Sequence, residues 1–238
     1  MTTFPRIAAI IPAHNEALTL RQTIETVAEL PFHPRIIVVD DGSTDTTQEV
    51  AKASSVHLLS TGRQRGKGAA LTLAVEQVPD VDLYLFLDAD LEGSARHAAV
   101  LLQPLLDGHA DLVIGILPPA HRKGGFGLVK WTAKKIVRHA TGVAVHQPLS
   151  GQRALTAAAA RQLAPFADGY AVEVVMTIEA LRLGLRLCEI PTDFGHRETG
   201  RSPGAFLHRG KQLWDVVHAS WERGYLQKHF PPQPRQEA

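Results

Sequence analysis

Short apolar runs and amphipathic stretches alternate along the first half of the chain. Residues 7–11 are continuously apolar, contain β-branched side chains and stop at Pro12, the pattern of a strand buried on both faces. Over residues 16–29 the apolar positions Leu20, Ile24, Val27 and Ala28 follow helical spacing. Residues 36–39 repeat the strand pattern, and Ser43 or Thr44 is placed to cap a following helix with Asp45 in its first turn. A third, shorter strand is predicted at 56–59, a helix at 68–78, a fourth strand at 83–87 running into Asp88, a helix at 95–106 closed by Gly108, and a strand at 112–116. Alternation of this kind predicts an α/β fold: a mostly parallel, Rossmann-like sheet flanked by helices.

The second half is less regular. A loop over 118–127 precedes a helix at 128–140. A strand within 149–155 leads into an Ala-rich helix at 156–163, then a helix at 172–183, a strand at 185–190 and a polar loop at 194–204. A last helix is predicted at 206–225, where Trp214 and Trp221 share a face and read as core packing, ahead of a frayed tail from 231. Without repeat or linker, the chain reads as one domain over 1–230, with a regular half at 5–115 and a less regular one at 116–230, followed by a flexible tail at 231–238.

Composition narrows the function. Lys plus Arg number 25 against 24 for Asp plus Glu, so bulk charge gives no reason to expect nucleic-acid binding. One cysteine excludes an intrachain disulfide and a Cys-based zinc cluster, and fits a reducing cytoplasm. No run approaches about 18 uninterrupted apolar residues, and the N-terminus lacks signal-peptide anatomy. A cytoplasmic protein is expected, at most associated with the cytoplasmic face of a membrane.

Polar clusters follow three of the predicted strands: His14-Asn15-Glu16, Asp40-Asp41-Gly42-Ser43 and Asp88-Ala89-Asp90. Ligands of open α/β sheets bind at the carboxyl ends of strands, so the three clusters read as one site. Asp88 and Asp90, two apart after a buried strand, offer oxygen ligands to Mg²⁺ or Mn²⁺, although solvated turn acids give the same spacing. Asp40 can accept hydrogen bonds from a base or ribose. The stretch Gly62 to Gly68 is rich in glycine and base and opens a helix. It can cradle a diphosphate with Lys67 or stand as a solvated turn, and it departs from the P-loop pattern.

Pro12-Ala13-His14-Asn15-Glu16, Asp40 to Asp45, Gly66-Lys67-Gly68-Ala69-Ala70 and Asp88-Ala89-Asp90 resemble, in order and spacing, the motifs of family 2 glycosyltransferases with the GT-A fold. The resemblance implies that Pro12, Ala13, Glu16 and Asp40 hold the nucleoside, that Lys67 lies near the nucleotide, and that Asp88, Ala89 and Asp90 meet ribose and metal-diphosphate. Farther on, residues 148–153 (PLSGQR), 169–173 (GYAVE) and 195–197 (GHR) are similar to glucosyl-3-phosphoglycerate synthases and the dolichyl-phosphate-sugar synthase-like group. That likeness implies a metal held by Asp90 and His196, and Glu173 facing donor sugar and acceptor. Ser150 and Gly151 would border the acceptor, with Arg197 and Arg201 on its phosphate. Glu173 also sits where an acid favours a helix dipole, and His196 also fits a solvated loop.

The implied reaction moves a hexose, glucose favoured, from a nucleotide-sugar, a UDP-sugar first, to a phosphorylated small molecule or lipid phosphate. Asp90 and Glu173 are the expected catalytic residues, Glu173 as base for a hydroxyl acceptor. The alternatives are a nucleotidyltransferase, which should carry a glycine-rich loop after its first strand, and a non-catalytic nucleotide-sugar-binding protein at a membrane. From Leu112 to Ala167 the chain has no acid and eight Lys or Arg, with Trp131 among the lysines of the 128–140 helix. A solvated surface explains the lysines but not the tryptophan, so contact with an anionic membrane or phosphorylated acceptor is expected there. A homodimer is compatible with the sequence.

Overall fold

A computed structural model describes residues 5–118, 126–167, 169–195 and 214–226. Its strands are β1 (Ile7–Ala13), β2 (Arg35–Asp40), β3 (His57–Ser60), β4 (Leu83–Phe86), β5 (Leu112–Ile116), β6 (Arg153–Thr156) and β7 (Leu187–Pro191). They form one sheet in the order β3-β2-β1-β4-β6-β5-β7. All pairings are parallel except those of β6, which runs antiparallel between β4 and β5. The helices are α1 (Leu20–Ala28), α2 (Thr47–Ala53), α3 (Lys67–Gln77), α4 (Gln103–Leu106), α5 (Phe126–Thr141), α6 (Ala157–Leu163), α7 (Val172–Arg182) and α8 (214–222), with a 3-10 helix over Glu92–Leu101.

Both faces of the sheet are covered, which is why β1 reads as an unbroken apolar run. Ala8 and Ile10 point to a core shared with α3, α5, α6 and α7. Ile7, Ala9, Ile11 and Ala13 point to a second core with α1 and the 3-10 helix. The parallel β1, β2 and β4 end together, so the segments after them meet at one edge.

Several expected elements shift. Residues 95–106 are not one α-helix: the 3-10 helix ends at Leu101, and Pro104, which lacks the N–H for an upstream helix, opens the short α4. Helix α2 begins later than its predicted cap. Thr46 stands at its N-terminus, while Asp45 accepts the Thr47 N–H (3.0 Å) and Ser43 Oγ accepts the Asn15 N–H (3.0 Å). The strand expected in 149–155 is confined to β6, since Ser150 to Gln152 turn beneath the site. Trp214 and Trp221 are not core residues: they are 66% and 58% exposed. The loop residues 119–125 and the segment 196–213, which includes the start of the predicted last helix, lie outside the described residues.

Candidate active site

The loop after β1 is stapled to the loop after β2. Asn15 adopts a left-handed φ of 59°, which asparagine tolerates, and its Oδ1 accepts the N–H of Thr44 (2.8 Å) and Asp45 (3.3 Å). His14 Nδ1 lies 2.9 Å from the Asp41 carbonyl. Asp41 in turn orders the basic loop. Its carboxylate accepts the N–H of Arg65 (2.9 Å) and Gly66 (2.7 Å) and the Thr61 hydroxyl (3.0 Å).

The Gly66-Lys67-Gly68 triplet has a geometric cause. Gly66 has φ +96° and turns the chain into α3. A Cβ on Gly68 would collide with the Ala167 carbonyl, so glycine is what lets α3 lie against the 166–167 backbone. Between them, Lys67 reaches across the edge. Its Nζ donates to Asp88 Oδ1 at 2.6 Å and pairs with Glu173 Oε1 at 2.9 Å. Burial by itself would lower the ammonium pKa; the Asp88 and Glu173 carboxylates outweigh it and raise it. Glu173, in the first turn of α7, therefore faces the site rather than merely decorating a helix end.

Asp88 is held from the far side by Gln152. The Gln152 Nε2 donates to Asp88 Oδ2 (2.8 Å), and its Oε1 accepts the Asp88 N–H (3.2 Å). Gly151 leaves the space for this arrangement, since a Cβ there would sit 2.5 Å from Lys67 Nζ and 2.6 Å from Asp88 Oδ2. Arg153, fully buried, donates to the carbonyls of Ser150 (2.9 Å) and Pro148 (3.0 Å) and to Thr177 Oγ1 (3.0 Å), which fixes the 148–152 turn. Burial pulls its pKa down to about 10. Glu16 belongs to the same cluster. Burial chiefly raises its pKa, the Thr19 hydroxyl opposes, and the charges of Asp90 and Asp88 raise it further.

The structure thus brings together Glu16, Lys67, Asp88, Asp90 and Glu173, with Pro12, Ala13 and Ala89 at the same strand ends. Asp40 presents no open face to a base. It is 0% exposed, and its carboxylate accepts the Ser43 N–H (3.1 Å) and the Gln48 amide (2.7 Å). Nor do Ser150 and Gly151 offer an open acceptor surface: both are buried, Gly151 directly against Lys67 and Asp88. His196, Arg197 and Arg201 lie outside the described residues. Asp41, Gln152 and Arg153 carry work that the sequence reading did not assign to them. Asp41 had a signal, a second acid at a strand end ahead of a glycine turn; Gln152 and Arg153 stood in the 148–153 stretch that carries the resemblance, with no role assigned to them there.

Asp90 offers carboxylate oxygen, the ligand type Mg²⁺ and Mn²⁺ take, and a cation on it would relieve the part of the Glu16 pKa rise that the Asp90 charge causes. Among the described residues, no group of three or more His, Cys, Asp or Glu is placed to hold a metal ion.

Comparison with known proteins accords with this edge. Residues 8–146 match the model of Glycosyl transferase family 2. The chain is 31% identical over 240 residues to the undecaprenyl-phosphate mannosyltransferase of Micrococcus luteus, covering 91% of this chain and 96% of that protein. It is 30% identical to glycosyltransferase AglJ of Haloferax volcanii over 84% of this chain, spanning 66% of that protein's length. The crystal structure of glucosyl-3-phosphoglycerate synthase from Mycobacterium tuberculosis with Mn²⁺, UDP-glucose and phosphoglyceric acid superposes with a TM-score of 0.78 at 28% identity, covering 94% of this chain and 81% of that one. The matched segment takes in β1, β2, β4 and the Lys67–Asp88 pair, and the fold is that of a GT-A enzyme. The chain therefore belongs to glycosyl transferase family 2 and is a glycosyltransferase.

Proposed function

We propose that the chain transfers a hexosyl group, glucose first, from a UDP-sugar to a phosphate-bearing acceptor, either a small phosphorylated molecule or a lipid phosphate. The observation that carries the reading is the Lys67 ammonium held between Asp88 and Glu173 at the strand ends. Likeness to a synthase seen with UDP-glucose and phosphoglyceric acid supports glucose and a small acceptor; likeness to an undecaprenyl-phosphate mannosyltransferase supports a lipid phosphate.

In this reading Pro12, Ala13 and Glu16 border the nucleoside, while Asp40 acts from behind through Ser43 and Gln48. The diphosphate competes for Lys67, which leaves the carboxylates and neutralises the departing UDP. Asp88, steadied by Gln152, then accepts from the ribose. Glu173, released from the lysine, takes the proton of a hydroxyl acceptor; a phosphate acceptor, already anionic, needs little base. Asp90, with His196, would hold Mg²⁺ or Mn²⁺, which supplies Lewis-acid stabilisation of the leaving diphosphate when bound. Arg197 and Arg201 are assigned to the acceptor phosphate.

Incubation with UDP-glucose, Mn²⁺ and 3-phosphoglycerate or an undecaprenyl-phosphate micelle should release UDP in an acceptor-dependent way. Lys67→Met should lower kcat by about 100-fold or more, in line with loss of one preorganised charge. Release of pyrophosphate instead of UDP, or an unchanged Lys67→Met enzyme, would refute the reading.

A further inference from the structure

The chain has three tryptophans, and all three lie on the surface. Trp131 is 58% exposed on α5, and Trp214 and Trp221 are 66% and 58% exposed on α8. Buried tryptophan is the norm for a water-facing protein, because the indole is the largest apolar side chain. Three left outside in one chain call for a common cause.

The two helices lie on one face of the sheet. Ala133, Ile136, Val137 and Ala140 of α5 and Val216 and Tyr225 of the α8 segment join the same core, with α7 among its members. Helix α8 is tied to α7 where Tyr225 donates to Glu179 (2.7 Å), and its start lies against Gly169, beside the beginning of α7. Helix α7 is itself buried on most of its surface. The outward stripe of α5 is Leu128, Trp131, Lys135 and Arg138, all exposed, with Lys135 Nζ 5.6 Å from the Trp131 ring centre. The outward stripe of α8 is Trp214, His218 and Trp221, with the first two rings stacked at 5.7 Å, and the exposed Glu222 beside it pairs with His218 (3.4 Å). Lys130 and Lys134 flank the α5 stripe, and no acid occurs in the sequence from Leu112 to Ala167.

We infer that the outer stripes of α5 and α8 form a docking surface for an anionic lipid bilayer. Indole rings favour the headgroup boundary, where one end is apolar and the other wet, and adjacent lysines and arginines are drawn to negatively charged lipid. Charge selects this occupant over a second copy of the chain, since α5 packed against itself would oppose lysine to lysine. The surface needs no spanning helix, and no helix among the described residues is long and apolar enough to cross a membrane. The inference stands apart from the proposed acceptor, because it rests only on the stripes.

Because every tryptophan lies in the patch, intrinsic fluorescence reads it directly. Vesicles of phosphatidylcholine with about 30% phosphatidylglycerol should shift the emission to the blue and sediment the protein; pure phosphatidylcholine should not, and about 0.5 M NaCl should reverse binding by screening the lysines. The exposed pair Lys135→Ala/Arg138→Ala should weaken vesicle binding about tenfold or more, and Trp214→Ala/Trp221→Ala should do so as well, both with unchanged circular dichroism and melting temperature. Equal binding to neutral and anionic vesicles, no binding to either, or unaltered binding by the two variants would overturn the inference. So would sedimentation equilibrium showing a dimer that Trp214→Ala/Trp221→Ala converts to monomer, which would give the surface to a second copy.

Discussion

At the scale of single residues, Gly151 shows how a site can depend on an atom that is not there. The sequence places Gly151 at the acceptor border; the structure puts it directly under the Lys67–Asp88 pair, with no room for a Cβ. Gly151→Ala must push either Lys67 or Asp88 aside, and Asp88 cannot retreat because Gln152 holds it. Overpacking of this kind costs about 1–3 kcal/mol, so urea unfolding should register a loss in that range, while kcat/KM for the UDP-sugar falls at least tenfold. A variant with wild-type stability and turnover would mean that the pair is not part of the working site. Residue types were readable here, but partnerships were not: nothing in the sequence pairs Lys67 with Asp88 and Glu173. Asp40 and Asp41 make the same point. They are adjacent and chemically identical, yet one faces α2 and the other the 61–66 loop, because successive residues leaving a strand point in opposite directions.

At the scale of elements, the strands of the first half were legible because burial on both faces writes a continuous apolar run. The strand β6 was expected within 149–155, but its antiparallel direction was not legible, since four residues between a turn and a helix carry no directional signal. Beyond β6 the sheet continues through β5 to the edge strand β7, and one electrostatic clamp fastens the entry to both. Arg186 donates through Nε and its N–H to Asp111 Oδ2 (3.0 and 2.8 Å) and through Nη2 to Oδ1 (2.9 Å). Hydrogen bonds from Arg186 hold the Asp111 carboxyl below its ordinary value. A depressed carboxyl stabilises the folded state above its unfolded pKa of about 3.9, and that contribution is lost as pH falls through the folded value. Asp45 and Asp82 are depressed as well and act with the same sign. The urea midpoint should therefore stay level near neutrality and drop as pH falls below about 4, and Asp111→Asn should show a shallower acid slope together with a lower midpoint at neutral pH. An acid slope identical to wild type would remove the clamp from the account.

At the scale of the whole molecule, the inference that three polar clusters form one edge held because the sheet is parallel where those clusters lie. Parallel strands deliver their carboxyl ends together however far apart they are in sequence, which is why β1, β2 and β4 were enough to locate the site. Exposure obeyed no such rule, and helical spacing alone put Trp214 and Trp221 in the core, where they are not found. The edge also carries an excess of acid. Lys67 pairs with Asp88 and Glu173 while the charges of Asp90 and Asp88 raise the pKa of Glu16, so one lysine cannot serve the diphosphate and quiet all these carboxylates at the same time. A divalent cation resolves the conflict, and the stability of the whole fold should report it, since anything that binds only the folded state stabilises it by mass action. At about 100 times its dissociation constant, UDP with Mn²⁺ should add about 2.7 kcal/mol, which for a chain of this length raises the melting temperature by about 5–10 °C. UDP with EDTA should give a distinctly smaller rise, because Lys67 is then drawn from Asp88 without compensation. Asp90→Ala should make the two conditions alike while leaving the shift with UDP alone intact. If wild type melts at the same temperature with UDP whether Mn²⁺ or EDTA is present, Asp90 holds no cation and the acidic cluster needs another explanation.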